Sequence, residues 1–397
     1  MSRGFKKKKK DFFENIDYSI LESAIPSCPH FGDCGGCRFQ NISYDSQIQL
    51  KKDYLKSIFK VDVDVTAAPF ELGYRNRVDF VYAYGSLGMR RFGDFKTVVN
   101  ISTCYLIPSW GNDVFKYIKS LLNSYKISSY DFIEHVGFLR YVTLRFVPST
   151  QEIMAIFTTH NPRDKQEENT FQDFLSELSS NDSLNITSVY WFINDTLTDV
   201  AIPDVDPKLI IGKETLIETL GDTSLSFSPK SFFQVNSEVS KIMFDEIKNN
   251  TAGNTVDLCC GVGAISLFVR ENTNTILGIE EVDQAIKLAK ENADLNDVKK
   301  ASYFTLPMKK LLDVTPLEVD TLIVDPPRSG LEKKVVGKIL ELAPSKIIYM
   351  SCNPKTQKLD IDMLTQNHEY EITFLKGYDM FPQTVHVETL CVLHRTD

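Results

Sequence analysis

Apolar positions recur along the chain at two different periods, and the change of period marks its organisation. From Tyr44 to Phe59 the helical period holds: Ile48, Leu55 and Phe59 share one face, with Lys51, Lys52 and Lys56 off it. After Gly73-Tyr74-Arg75-Asn76-Arg77 the chain alternates as V-D-F-V-Y-A-Y, which predicts a strand. Gly85 and Gly88 mark a turn, and Met89 to Phe92 resumes the alternation. Helical spacing returns over Ser109 to Tyr125, through Val114, Ile118, Leu121 and Leu122. Alternating segments follow at Arg140 to Phe146 and Glu152 to Thr158. Phe171 to Leu178 is expected to be helical, and Ser188 to Asn194, Leu209 to Gly212 and Leu225 to Phe227 to be short strands. This is the pattern of a mixed α+β domain.

Beyond residue 228 the pattern changes to short apolar runs that stop at Gly or Pro. Val256 and Leu258 lead into Cys259-Cys260-Gly261-Val262-Gly263, Thr275 to Ile279 ends in Glu280, and Thr321 to Val324 runs into Asp325-Pro326-Pro327-Arg328. Ile347 to Met350 stops at Ser351-Cys352-Asn353-Pro354. Runs of this kind suit buried strands of an α/β sheet. The expected organisation is a basic, disordered tail over 1–24, an α+β domain over 25–228, and an α/β, Rossmann-like domain over 229–397.

Composition narrows the function classes. The chain has 397 residues, 43% hydrophobic and 24% charged, which suits a globular protein of two or three domains. No apolar run approaches a membrane span, so no membrane contact is expected, and a cytoplasmic monomer is. The net charge of −9 has the wrong sign for a general nucleic-acid binder, so any such contact must be local. Two stretches qualify: Arg3 with Lys6 to Lys10, and Arg75, Arg77, Arg90 and Arg91 interleaved with aromatics.

Eight cysteines in a reducing compartment need sorting into metal, nucleophile and core. Cys28, Cys34 and Cys37 follow the spacing C-x5-C-x2-C, with Gly35 and Gly36 between the last pair, and Cys104 is a distant fourth candidate. Four thiolates suit zinc or an iron–sulfur cluster, and one C-x2-C pair with a remote fourth ligand leans to the cluster. His30 is a possible substitute ligand. In the α/β part, Gly261 and Gly263 let a ligand approach the backbone closely, and Glu280 falls where an acid at a strand tip holds a ribose. The dinucleotide motif's third glycine is missing, which favours S-adenosylmethionine over NAD. Asp325 opens the D-P-P loop. Arg328 stands where amino-directed methyltransferases carry an aromatic, which argues against exocyclic-amine chemistry. Cys352 lies at a strand end, where a thiol can be a nucleophile. Glu388, two residues after His386, precedes an apolar strand and can serve as its general base. Gln234, in S-F-F-Q-V-N before a helix, is a weaker candidate for ligand contact.

Together, S-F-F-Q-V-N, D-L-C-C-G-V-G, D-P-P-R-S-G-L, S-C-N-P-K-T and F-P-Q-T-V-H-V-E-T-L resemble the RNA uracil-C5 methyltransferase family, from Cys28 to Leu393. The resemblance implies a class I methyltransferase domain and an RNA-binding α+β domain carrying a 4Fe-4S cluster. It implies Cys352 as nucleophile, Glu388 as base, Cys28, Cys34, Cys37 and Cys104 as cluster ligands, and S-adenosylmethionine contacts from Gln234, Cys259, Gly261, Glu280 and Asp325. Cys259 departs from the family, whose members usually carry an aromatic there. Only 27 residues precede Cys28, so the N-terminal RNA-binding barrel of many relatives is not expected. On that ground 23S rRNA is the expected substrate, with the tRNA T-loop as the alternative.

Overall fold

The computed structural model describes residues 12–315 and 318–396. The basic run at Arg3 and Lys6 to Lys10 lies outside them. Residues 12–24 do not form the disordered tail expected from sequence: Phe13 is buried against Phe39, Ile42 and Leu50. The aromatic pair Phe12-Phe13 anchors this stretch, with ring centroids 5.4 and 4.9 Å from that of Tyr54.

Helix α1 (Tyr44–Phe59) begins at Ser43, whose side chain accepts from the Ser46 amide, and ends at Lys60 in the left-handed region. A two-residue strand, β1 (Val65–Thr66), follows. Then β2 (Arg77–Ala83), β3 (Ser86–Arg91) and β4 (Asp94–Asn100) form a meander, and α2 (Ser109–Ser124) covers it. Strands β5 (Leu139–Val147) and β6 (Glu152–Thr159) pair antiparallel. Helix α3 (Lys165–Ser179) returns the chain to β7 (Ile186–Ile193), parallel to β6, and β8 (Lys208–Gly212) closes the edge. The seven-stranded order is β4-β3-β2-β5-β6-β7-β8. Its core is aromatic, with Phe80, Phe115, Phe138, Phe157, Phe171 and Phe174 buried.

A hairpin, β9 (Leu216–Leu220) and β10 (Thr223–Phe227), links to the second domain. Here α4 (Ser237–Asn250), β11 (Gly253–Leu258), α5 (Ala264–Phe268), β12 (Thr273–Glu280), α6 (Asp283–Leu295) and β13 (Ala301–Thr305) make the first half. Strand β14 (Thr321–Val324), α7 (Lys333–Leu342), β15 (Lys346–Ser351), α8 (Pro354–Thr365), β16 (Tyr370–Tyr378) and β17 (Glu388–Arg395) make the second. The sheet order is β1-β16-β17-β15-β14-β11-β12-β13, with β17 antiparallel to both neighbours. The chain reverses its direction of travel between β11 and β14, so a crevice opens at their carboxyl ends.

The domain boundary differs from the sequence expectation in one respect. Strand β1 pairs with β16, and α1 packs on α8 and β16. Residues 44–66 therefore complete the last domain rather than the first. Helix α1 covers the residues expected from sequence, but Lys51 does not lie off its packed face: it is fully buried, with Nζ 2.5 Å from the Asp379 carboxylate. No described helix is long and apolar enough to cross a membrane.

Candidate active site

At the crevice lies a cavity of about 520 Å³, within the range of small-molecule sites. Its lining includes Gln234, Cys259, Gly261, Glu280, Asp325, Cys352 and Glu388. All seven cofactor and catalytic candidates from sequence thus meet in one space. Sequence reasoning passed over Phe232, Val282, Leu306 and Met308, which give the cavity its apolar wall. Only a fold can bring those positions together.

Strand β11 delivers the glycine turn. The amides of Cys259 and Cys260 both donate to the Ile279 carbonyl, at 2.9 and 3.2 Å, which bends the chain off the sheet. Cys259 takes the left-handed conformation, φ 67°, that β-carbon-bearing residues seldom adopt. Gly261 is also left-handed, φ 53°, and a β-carbon there would meet open space, so the backbone itself faces the cavity. Glu280 ends β12. Its Oε2 accepts from the Gly261 amide at 3.2 Å and its Oε1 from Glu281 and Val282 at 2.7 and 3.1 Å. The carboxylate is thereby fixed at the rim. Below it, Asp257 is fully buried. Its Oδ2 accepts from the Ser266 amide, its Oδ1 has no protein partner, and burial pushes its pKa up to about 7. A charged residue inside the apolar β11 run was the available signal for it.

The opposite wall carries the thiol and the second acid. Strands β15 and β17 are antiparallel with Ser351 opposite Thr389. The ladder ends there: Cys352, in the bend that follows β15, and Glu388, the first residue of β17, each lie one residue past that rung, and both line the cavity. Burial, then the neighbouring Glu388 and Asp325, push the Cys352 thiol up to about 11, while Arg328 pulls it down. Glu388 is buried, which pushes it up to about 8 against the opposing pull of Arg328. Asp325 is held far above the usual carboxylate range by burial, Glu388 and Asp257. Three acidic groups, Cys352, Glu388 and Asp325, crowd one wall of the cavity, and a cation among them would favour all three charged forms.

Gln234 reaches this cavity from the loop between β10 and α4, and the first domain holds that loop. Asn76 Nδ2 donates to the Gln234 carbonyl at 2.8 Å, and the Asn76 amide to Val235 at 2.9 Å. The buried Arg145 guanidinium donates to the carbonyls of Ser228 and Ser231 and lies over the Phe227 ring. Neither residue stood out in sequence, because its partners lie more than 80 positions away.

Cys28, Cys34, Cys37 and Cys104 line a second, smaller cavity with His30, Gln40 and Arg75. The Gly36 amide donates to Cys34 Sγ at 3.4 Å and Gln40 Nε2 to Cys37 Sγ at 3.3 Å. Burial pushes Cys34 up to about 11 and Cys37 to about 12, and the other thiols of the set add to both shifts. Among the described residues, no three His, Cys, Asp or Glu side chains are gathered as a site for a single metal ion. His30 Nε2 is engaged instead with Ser102, 3.0 Å from its hydroxyl. The four arginines expected to meet phosphates are mostly engaged internally. Arg77 pairs with Asp79 at 3.1 Å, Arg90 with Asp199 at 2.7 Å and Arg91 with Asp33 at 3.7 Å, while Arg75 lies 5.9 Å from the Phe381 ring.

Sheet order, switch-point crevice, glycine turn and strand-tip acid together define an S-adenosylmethionine-dependent methyltransferase. The family model for tRNA (uracil-5-)-methyltransferases matches residues 205–396. The chain is 33% identical to the tRNA (uracil(54)-C(5))-methyltransferase of Pyrococcus furiosus over 93% of its own length and 85% of that protein's. It is 32% identical to an RNA methyltransferase of Nanoarchaeum equitans over 98% of its length and 85% of the relative's. It is similar to the crystal structure of Pyrococcus abyssi tRNA (uracil-54, C5)-methyltransferase in complex with S-adenosyl-L-homocysteine. That match has a TM-score of 0.77 and 29% identity, and covers 91% of this chain and 86% of that one. The chain belongs to the RNA uracil-C5 methyltransferase family, and it is an S-adenosylmethionine-dependent enzyme of that class. The Pyrococcus relatives are named for uracil 54 of tRNA, not for the 23S rRNA expected here from sequence.

Proposed function

We propose that the protein methylates C5 of a uridine in tRNA through a covalent bond between Cys352 and C6 of the base. The observation that carries this reading is that Cys352 and Glu388, each one residue past the last rung between β15 and β17, line the same cavity as the cofactor candidates. Uracil C5 is a poor nucleophile on its own. Addition of the Cys352 thiolate to C6 makes an enolate with electron density on C5. S-adenosylmethionine, when bound, supplies the methyl group as an electrophile on a positively charged sulfonium. Glu388 then takes the C5 proton, the C5–C6 double bond re-forms, and the thiolate leaves with its electron pair. A base with a pKa of about 8 is well matched to this task near neutral pH. The apolar walls and the backbone cradle at Gly261 fit an adenosyl ligand, and Glu280 fits its ribose hydroxyls. The base must leave its stack to reach the thiol, which costs less in an RNA loop.

The same reading assigns Cys28, Cys34, Cys37 and Cys104 to a 4Fe-4S cluster. Zinc holds four thiolates at ~2.3 Å around one centre. In a cluster each thiolate binds a different iron, and four thiols lining one small cavity, with amide donors on two sulfurs, fit that arrangement.

The test is a covalent trap. Protein is incubated with S-adenosylmethionine and 5-fluorouridine-substituted tRNA or 23S rRNA fragments. Fluorine at C5 cannot leave as a proton, so the adduct persists on a denaturing gel. An adduct with tRNA that is lost in Cys352→Ala is the expected result. An adduct with rRNA alone rejects the substrate, and none with either rejects the nucleophile.

A further inference from the structure

We propose that Gln383 is the positioning residue for Glu388, and that it acts as a plug by which the segment after the Cys28–Cys37 loop holds the base in place. The inference rests on the reading of Glu388 as the base. Glu388 is the first residue of β17, on the last rung of its ladder with β16, opposite Tyr378, and one residue beyond the last rung with β15. Terminal rungs are where pairing frays. Its placement therefore depends on the nine-residue connection from Asp379 to Val387 that feeds it.

Much of that connection is held by chain that precedes it by more than 300 residues. Gln383 sits at its centre, 4% exposed and at φ 68°. A non-glycine residue in that region is retained only where its surroundings over-determine it. They do so here, because each polar group of Gln383 has a partner between residues 38 and 71. Its carbonyl accepts from the amides of Arg38 and Phe39, at 2.7 and 3.2 Å, the two residues that follow Cys37. Its amide donates to Gln47 Oε1 at 3.0 Å, and Gln47 Nε2 donates back to Gln383 Oε1 at 3.0 Å. Its own Nε2 donates to Glu71 Oε2 at 3.1 Å. Neighbouring carbonyls are tied in the same way: Tyr74 Oη donates to Pro382 at 3.0 Å and Lys51 Nζ to Phe381 at 3.2 Å. Gln47 and Gln383 are both buried, so this exchange of amide hydrogen bonds is worth more than its surface equivalent. None of these groups lines the cofactor cavity.

A positioning role separates two steps that a merely structural role would weaken together. Addition of Cys352 and methyl transfer do not use the base, whereas release of the product does. Gln383→Asn tolerates the left-handed backbone but is one methylene too short for its side chain to reach both Gln47 and Glu71. Tyr74→Phe removes one hydroxyl from the same loop and is the milder variant. Adducts are formed with S-adenosylmethionine carrying a labelled methyl group and with tRNA, and are followed on denaturing gels, with Glu388→Gln as the reference. Gln383→Asn should form methylated adduct at the normal rate and resolve it roughly 10–100-fold more slowly, the range expected when a reacting group moves by about 1 Å. kcat/KM for both substrates should be unchanged while kcat falls, and Tyr74→Phe should slow resolution in the same direction by less. Normal resolution in both variants, or adduct formation and resolution falling in parallel, overturns the proposal. A Glu388→Gln enzyme that accumulates no adduct rejects the base assignment itself, and the positioning role with it.

Discussion

Asn353, the residue after Cys352, donates its side-chain amide to the backbone carbonyl of Arg328 at 2.8 Å. The D-P-P-R loop and the thiol's loop are thus one unit, with Thr356 Oγ1 adding a second bond to the same carbonyl at 3.3 Å. Arg328 opposes the upward shifts of both Cys352 and Glu388. In Arg328→Met both groups should ionise at higher pH. The acid limb of the kcat/KM profile should move up by roughly one unit. Alkylation of Cys352 by iodoacetamide should move the same way, and in Glu388→Gln it should move down. A profile that stays put in Arg328→Met would mean that its charge does not reach the site.

Glu388 makes the fold less stable where the enzyme works. Its pKa is about 8 in the fold against an ordinary 4.5, so the folded chain holds the proton more tightly than the unfolded one. The penalty is absent below about pH 4.5, grows as pH rises, and is complete above about pH 8. Glu388→Gln should therefore stabilise the fold at pH 8 by on the order of 1–3 kcal/mol, seen as a higher melting temperature, and lose that advantage as pH falls toward 5. Thermal scans at the two pH values check the sign. Equal shifts at both would assign the gain to packing.

The Lys51–Asp379 pair is buried completely, and Tyr44 Oη donates to the second carboxylate oxygen at 3.0 Å. Lys51→Met leaves that carboxylate without its cation in a dry interior and should destabilise by about 3–5 kcal/mol. Adding Asp379→Asn should recover part of the loss. Denaturant unfolding of the single and double variants measures the coupling, and additive losses would show that the two residues do not interact.

Cys34→Ser should remove a brown chromophore from the purified protein and its iron and sulfide with it. A colourless wild type carrying stoichiometric zinc would reject the cluster.

Much of the site was legible because its residues sit at strand ends, where Gly, Pro and polar residues interrupt apolar runs. Thr321 to Val324 is a strand over the same residues read from sequence, and Glu280, Asp325, Cys352 and Glu388 follow from such interruptions, whereas Cys259 was implied only by the family resemblance. Strand β13 was not read, since only Tyr303 of its five residues is buried and no apolar run betrays an edge strand. Lys51 was assigned to the wrong face because periodicity assumes that charge points to water, and its partner lies 328 residues away. Asn76, Arg145 and Gln47 were invisible for the same reason: a buried polar side chain is explained only by what it bonds.

The pairing of β1 with β16, and of α1 with Asp379, has a consequence for biosynthesis. The segment 44–66 leaves the ribosome more than 300 residues before the strand that completes it. During that interval Lys51 and the apolar face around Leu55 have no partner, and the contacts that finally cover them have very high sequence separation, which slows folding. The first domain can fold as it emerges, but the catalytic sheet closes only after the last strands appear, with the first helix held in waiting. An excised fragment of residues 229–397 should accordingly expose the face that α1 covers.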